Sequence, residues 1–176
     1  MLSSLKSHKV ILSLGEMQQG VAVGSRRHLD SLMAGNASVR QTPSGPSWTE
    51  HIEGALGEIA VAKLARVYWD GGINTFGSPD LPGVQIRTRS KHHYEMIVRD
   101  KESAGGKNDN SRYVLVTGRS PFFVVQGWIW GRDAKKPAYR KSPGYGEEAW
   151  FPPHIAMKNV DPDELREWIL ASRRTP

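Results

Sequence analysis

Apolar residues along the chain recur on two different periods, and the switches between them mark out its elements. Over residues 15–33, Met17, Val21, Leu29 and Leu32 fall on a helical spacing while Arg26, Arg27 and Asp30 supply a polar side. That pattern predicts an amphipathic helix behind a short strand at 9–14. Residues 35–46, rich in Gly, Ser and Pro and without a period, predict a loop. Ser47 followed by Glu50 has the spacing of a capping box. It opens the strongest helical pattern, running to about Trp69, with Ile52, Leu56, Ile59, Leu64 and Val67 or Tyr68 as the core stripe. Asp70-Gly71-Gly72 ends it.

The period then drops to two. Val84, Ile86 and Thr88 alternate with Gln85, Arg87 and Arg89, so a strand sends the first set to a core and the second to the opposite face. Residues 94–99 predict a second strand, joined to the first as a hairpin through Ser90-Lys91-His92-His93. The glycine-rich, charged residues 100–111 predict a flexible connection. Residues 113–117 form a nearly continuous apolar run, as in a strand covered on both faces. A further strand follows over 122–130, with Gly127 marking a bulge. Residues 131–145 read as a basic loop. Asp161 as cap, Pro162 at the first position and the acids Asp163 and Glu164 start a short last helix whose apolar face is Leu165, Trp168 and Ile169.

Composition narrows the class. At 176 residues, with 38% hydrophobic and 24% charged positions, the chain fits one globular domain. A net charge of +6 and a sequence pI near 9.7 favour an anionic partner, nucleic acid above others. The absence of cysteine removes disulfides and thiolate metal sites. The only early apolar run, Val10-Ile11-Leu12, is too short for a membrane span or a signal peptide, so a cytoplasmic protein with no membrane partner is expected.

Candidate chemistry gathers around Glu58 and the stretch from Ser78 to Lys91. Glu58 has Gly54, Ala55, Val61 and Ala62 as its helical neighbours, so another element approaches it closely. A carboxylate there needs a cation, either a metal ion or an arginine such as Arg87. Asp80 lies in a Pro- and Gly-bounded turn just before Gln85, Arg87 and Arg89. One acid, one neutral oxygen ligand and several cations suit a divalent metal and a phosphodiester. His51, one heptad before Glu58, is a candidate phosphate contact or proton acceptor; Arg89, Lys91 and His92 are further candidate phosphate contacts, with His92 at the turn reading otherwise as a solvated or hydrogen-bonded turn histidine. Arg132, Lys135, Lys136, Arg140 and Lys141, interleaved with Tyr139 and Tyr145, are either a nucleic-acid surface or a solvated loop. Glu53, near the helix start, reads as a surface acid offsetting the helix dipole.

Pro79-Asp80, then Gln85-Ile86-Arg87, with Glu58 on the preceding helix, resembles the PD-(D/E)XK signature of the restriction-endonuclease-like superfamily. The wording of 51–63, 84–89 and 97–99 is similar to small proteins of bacteriophages and prophages. The resemblance implies an α/β (α+β) fold with a restriction-endonuclease-like core, a central mixed β-sheet flanked by helices. Residues 1–46 would be a helical segment and loop packed on a nuclease-like domain of residues 47–176, the whole forming one globular unit. It also implies Mg2+ or Mn2+ held by Asp80, Glu58 and Gln85, with Arg87 in the place of the catalytic lysine, DNA rather than RNA as substrate, a bacterial host cell as the setting, and a homodimer where both strands are cut. A guanidinium stays protonated, so Arg87 stabilises phosphate charge without serving as a base. Two readings follow: a metal-dependent nuclease, or a catalytically inactive relative that binds nucleic acid or a host protein.

Overall fold

Ser13 starts the first long helix with a closed capping box: its hydroxyl accepts from the Glu16 N–H, and the Glu16 carboxylate accepts from the Ser13 N–H. The computed structural model describes residues 5–34, 48–72, 80–99, 109–142 and 148–174. Ser47, Ser78, Pro79, the loop expected at 35–46 and all but the end of the connection expected at 100–111 lie outside them. The elements are β1 (His8–Ile11), α1 (Leu14–Met33), α2 (Trp48–Leu64), β2 (Val84–Arg89), β3 (Val98–Arg99), β4 (Arg112–Arg119), β5 (Phe122–Trp130), α3 (Gly131–Ala134), β6 (Arg140–Lys141), β7 (Ala149–Trp150) and α4 (Pro162–Arg173).

The architecture is mixed α+β, built on a mixed four-stranded sheet of order β1-β5-β4-β2. β4 and β5 form an antiparallel hairpin, β1 adds antiparallel to β5, and β2 runs parallel to β4 at the open edge. A second, smaller antiparallel sheet has the order β3-β7-β6. Strand alternation explains the two cores. Val84, Ile86, Val114, Val116, Phe123 and Val125 pack with Ala55, Leu56 and Ile59 of α2 and Leu165 and Ile169 of α4. Tyr113, Leu115 and Ile129, on the opposite face, pack with Met96, Val98, Trp150 and Met157. The register of β4 against β5 shifts between Leu115 and Val116, opposite Gly127. That is where a bulge is expected from the sequence.

Four expectations are corrected. The hairpin of 84–89 with 94–99 does not form: β2 pairs with β4, and only Val98–Arg99 is a strand, bound to β7. α2 stops at Leu64 rather than near Trp69, because Arg66 takes a positive φ of 55° and the chain doubles back to bury Trp69. The stretch 131–145 is not simply a loop, since its described part holds α3, a single 3-10 turn at Pro137–Tyr139 and β6.

The fourth concerns α1. Val21, Leu29 and Leu32 of the expected stripe are exposed, and the buried face is Gly20, Gly24 and His28. Close approach is the cause: a Cβ on Gly24 would lie 2.6 Å from the Ile52 Cα, and only glycine lets the two helix backbones meet there. α2 is therefore buried all the way round from Ala55 to Ala62, with α1 on one side and the sheet on the other.

Candidate functional site

Glu58 sits in the fully buried stretch of α2 and is itself only 5% exposed. Its cation is not Arg87 but Arg27 of α1, a residue the hydrophobic pattern places on the wet side of that helix. The guanidinium grips the carboxylate with two parallel hydrogen bonds, Nη1 to Oε1 at 2.5 Å and Nη2 to Oε2 at 3.0 Å. Trp69, brought back by the turn after α2, donates its indole N–H to Oε2 at 3.0 Å. Arg27 also donates through Nε and Nη2 to the Gly72 carbonyl. The Gly24 crossing makes this possible, because it brings the helices close enough for a side chain on α1 to reach into α2.

Burial is the largest influence on Glu58 and pushes its carboxyl up to about 7. The charge of Asp80 pushes the same way, while Arg27 and the Trp69 N–H pull it down. Burial also works against the Arg27 charge, but the hydrogen bonds and charge of Glu58, with Asp80 and Asp70 adding, outweigh it and raise the guanidinium above its ordinary value. In this pair Arg27 stays charged and Glu58 is the partner that titrates.

Asp80 lies at the open edge of β2. One carboxylate oxygen accepts from the Ile86 N–H at 2.6 Å and from Arg87 Nη1 at 3.4 Å, and Arg87 also donates to the Ile86 carbonyl at 2.8 Å. The acid thus satisfies an edge amide that has no strand beside it. Alternation holds as expected: Thr88 faces α2, where a Cβ on Gly57 would lie 2.0 Å from its Oγ1, and Arg87 lies over the Tyr113 ring on the other face, at 5.1 Å. Gln85 shares that second face, in register with Tyr113, and is buried.

The three residues expected to hold a metal are thus distributed differently from a preformed cradle. Both oxygens of Glu58 are taken by Arg27 and Trp69, one oxygen of Asp80 by β2 and Arg87, and Gln85 stands on the side of β2 away from α2. Among the described residues no group of three or more His, Cys, Asp or Glu is assembled as a metal site. The donor set in this arrangement does not fit a divalent ion.

The residues expected to contact nucleic acid divide in two. Lys135 pairs with Asp109 at 2.6 Å, Lys136 with Asp133 at 3.7 Å, Arg140 with Glu148 at 2.9 Å and Lys141 with Glu95 at 2.9 Å, so four cations of the basic stretch carry acidic partners. Arg132 instead lies over the Trp130 ring at 5.3 Å. Arg89 and Lys91 lie over Tyr94 at 5.0 and 5.5 Å, and His92 Nδ1 meets Thr117 Oγ1 at 2.9 Å. His51 packs edge-on to the buried His28 of α1, and His28 in turn meets Trp48. Glu53 is no surface acid: its carboxylate accepts from the N–H and hydroxyl of Ser120, clasping the β4–β5 turn.

Arg27 and Trp69 are the site residues missed by the hydrophobic pattern. The available signal was Gly20 and Gly24 at a four-residue spacing, the mark of a close helix crossing, with Arg27 one turn further on. Comparison with protein-family models, with curated proteins and with solved structures finds no match to this chain. No helix among the described residues is long and apolar enough to cross a membrane.

Proposed function

We propose that this chain is a catalytically silent protein of the restriction-endonuclease-like kind that works by binding DNA. The observation that carries the silent half is the two-pronged hold of Arg27 on Glu58: a fixed guanidinium stands where a nuclease would need an open carboxylate. The binding half is supported by the net charge of +6 and by cations such as Arg132 and Lys91 that lie over aromatic rings. A bacteriophage or prophage setting in a bacterial cytoplasm, and a homodimeric state, remain part of the proposal on the strength of the resemblance.

The test pairs metal and DNA binding. Mg2+ and Mn2+ are titrated by calorimetry into wild type and Asp80→Ala, and both proteins are incubated with single-stranded and duplex DNA and with RNA. Salt-sensitive DNA binding with neither metal uptake nor cutting is the expected result. Saturable metal binding lost in Asp80→Ala, with cleavage lost alongside it, would overturn it. A protein that binds neither metal nor nucleic acid would point to a host-protein partner.

A second reading, the metal-dependent nuclease, has one specific observation in its favour. Asp80 acts electrostatically on both Glu58 and Arg27, so the two acids share a neighbourhood despite their separate partners. Under that reading Asp80, Glu58 and Gln85 would hold Mg2+ or Mn2+ once Arg27 moved aside, and the same cleavage assay decides it.

A further inference from the structure

Most cations in the basic stretch are neutralised by acids; its remaining member, Arg132, joins Arg112 and Lys158 from other segments, and these three lie over tryptophans instead. Arg112 opens β4, and its guanidinium lies 4.4 Å from the Trp130 ring centre and 4.3 Å from that of Trp168, with Trp128 at 6.0 Å. The rings support one another: Trp128 meets Trp130 edge-on at 5.4 Å and Trp168 at 4.9 Å. Arg132 lies over Trp130 at 5.3 Å and Lys158 over Trp128 at 5.0 Å. Lys158 is fixed there by exchanging both backbone hydrogen bonds with Trp128. Three cations from three segments thus converge on one aromatic cluster.

The Arg112 guanidinium makes no hydrogen bond or ion pair with the described residues, and its Nε is buried without a partner. Desolvation is the main influence on it and lowers its proton affinity, opposed only by the charge of Glu164 in the first turn of α4. Aromatic faces stabilise a cation without consuming its N–H donors. A guanidinium held among indoles therefore keeps its fork of donors free for a planar or tetrahedral oxyanion, and Arg is suited to phosphate for that reason. A cation that only anchored α4 through Trp168 would need neither Arg132 nor Lys158 on the same rings.

We propose that Arg112, with Arg132 and Lys158, forms a phosphate-binding site, and that the phosphate belongs to a DNA backbone. The choice of DNA rests on the function proposed above, whereas the phosphate chemistry stands on the cluster itself. The cations lie over the indole faces, so the site reads phosphates rather than stacked bases and takes single strands and duplex alike.

The experiment titrates wild type, Arg112→Gln and Glu164→Gln with a single-stranded oligonucleotide, the matching duplex and inorganic phosphate, reading tryptophan fluorescence over a series of salt concentrations. Losing the Arg112 contact is expected to weaken DNA binding about tenfold at low salt and to lower the slope of log K against log salt by about one. Glu164→Gln, which removes a nearby negative charge and leaves the tryptophans untouched, is expected to tighten binding; it tests the site even if Arg112→Gln folds poorly. Unchanged affinity and slope in both variants while wild type binds DNA would overturn this site and leave the function proposed above standing. Saturable quenching by inorganic phosphate, lost in Arg112→Gln and with no response to either DNA, would keep the phosphate chemistry and overturn its DNA source together with the DNA-binding function. No saturable response of wild type to any of the three probes would overturn the site altogether.

Discussion

Replacing Arg27 with methionine keeps most of the side chain's length and removes its charge and all its donors. Glu58, 5% exposed, would keep only the Trp69 indole among the described residues, and the Gly72 carbonyl would lose the two hydrogen bonds it accepts from Arg27. Breaking a buried ion pair from one side costs about 3–5 kcal/mol, because the remaining charge stays buried. Glu58 has an escape, since burial already raises its carboxyl to about 7 and it can take up a proton. Without Arg27 that value climbs further. At about pH 6 both proteins already carry a mostly protonated Glu58, so protonation adds little to the difference between them. At about pH 8 wild type has released the proton and the variant has not, which adds roughly 1.4 kcal/mol to the loss, the equivalent of one pH unit. Urea unfolding followed by tryptophan emission, which Trp69 helps report, measures both conditions. The double variant Arg27→Met with Glu58→Leu should recover more than half of the loss, because no buried charge is then left over. A loss under about 1 kcal/mol, or one that does not grow with pH, would refute the picture of a buried carboxylate held by one arginine.

Wild type itself should lose stability as pH rises from the ordinary carboxyl value of 4.5 towards about 7, since the folded form of Glu58 holds its proton longer than the unfolded one. The contribution is full below about 4.5, and its loss amounts to about 3 kcal/mol across the window; Glu58→Gln should flatten that part of a pH–stability profile measured by denaturation. Gly24→Ala places a methyl 2.6 Å from the Ile52 Cα, so it should force α1 away from α2, cost about 1–3 kcal/mol, and loosen the Arg27 grip, seen as a shift of the Trp69 indole resonance. Asp109→Asn should destabilise more than Lys135→Met, because the lysine side chain is 8% exposed and the aspartate 46%, so only the first change strands a buried charge. Lys135→Met should also leave DNA affinity unchanged, since that cation already has its acid.

Local signals made much of the fold legible. β2 and β5 occupy the residues their alternation and apolar runs indicate, and Asp161 caps α4 by accepting from the N–H groups of Asp163 and Glu164. Strand pairing was less legible, since the turn after β2 has hairpin composition, yet β2 pairs in parallel with β4 more than twenty residues later. Hydrogen bonds between distant strands leave no mark on the turn that precedes them.

The candidate site was legible in its parts and misread in its connections. Small neighbours around Glu58 correctly implied a close approach and a paired cation, but the cation came from α1, 31 residues earlier. The apolar pattern pointed α1 the wrong way because it scores a helix face by side-chain hydrophobicity. The face that packs here is made of glycines, whose value lies in having no side chain at all. Val21, Leu29 and Leu32 then stay outside, while Arg27, on the edge of the glycine face, is carried inward with its charge. Once two helices meet at Gly24 their neighbouring polar residues must find partners or stay costly, so the Arg27–Glu58 pair is a consequence of that crossing as much as of any chemistry at the site. The same logic separates the two kinds of cation. Those paired with acids, such as Lys135 and Arg27, have their charge already satisfied by the fold. Arg112 has been given tryptophans in place of an acid, which stabilise its charge and leave its donors for a ligand.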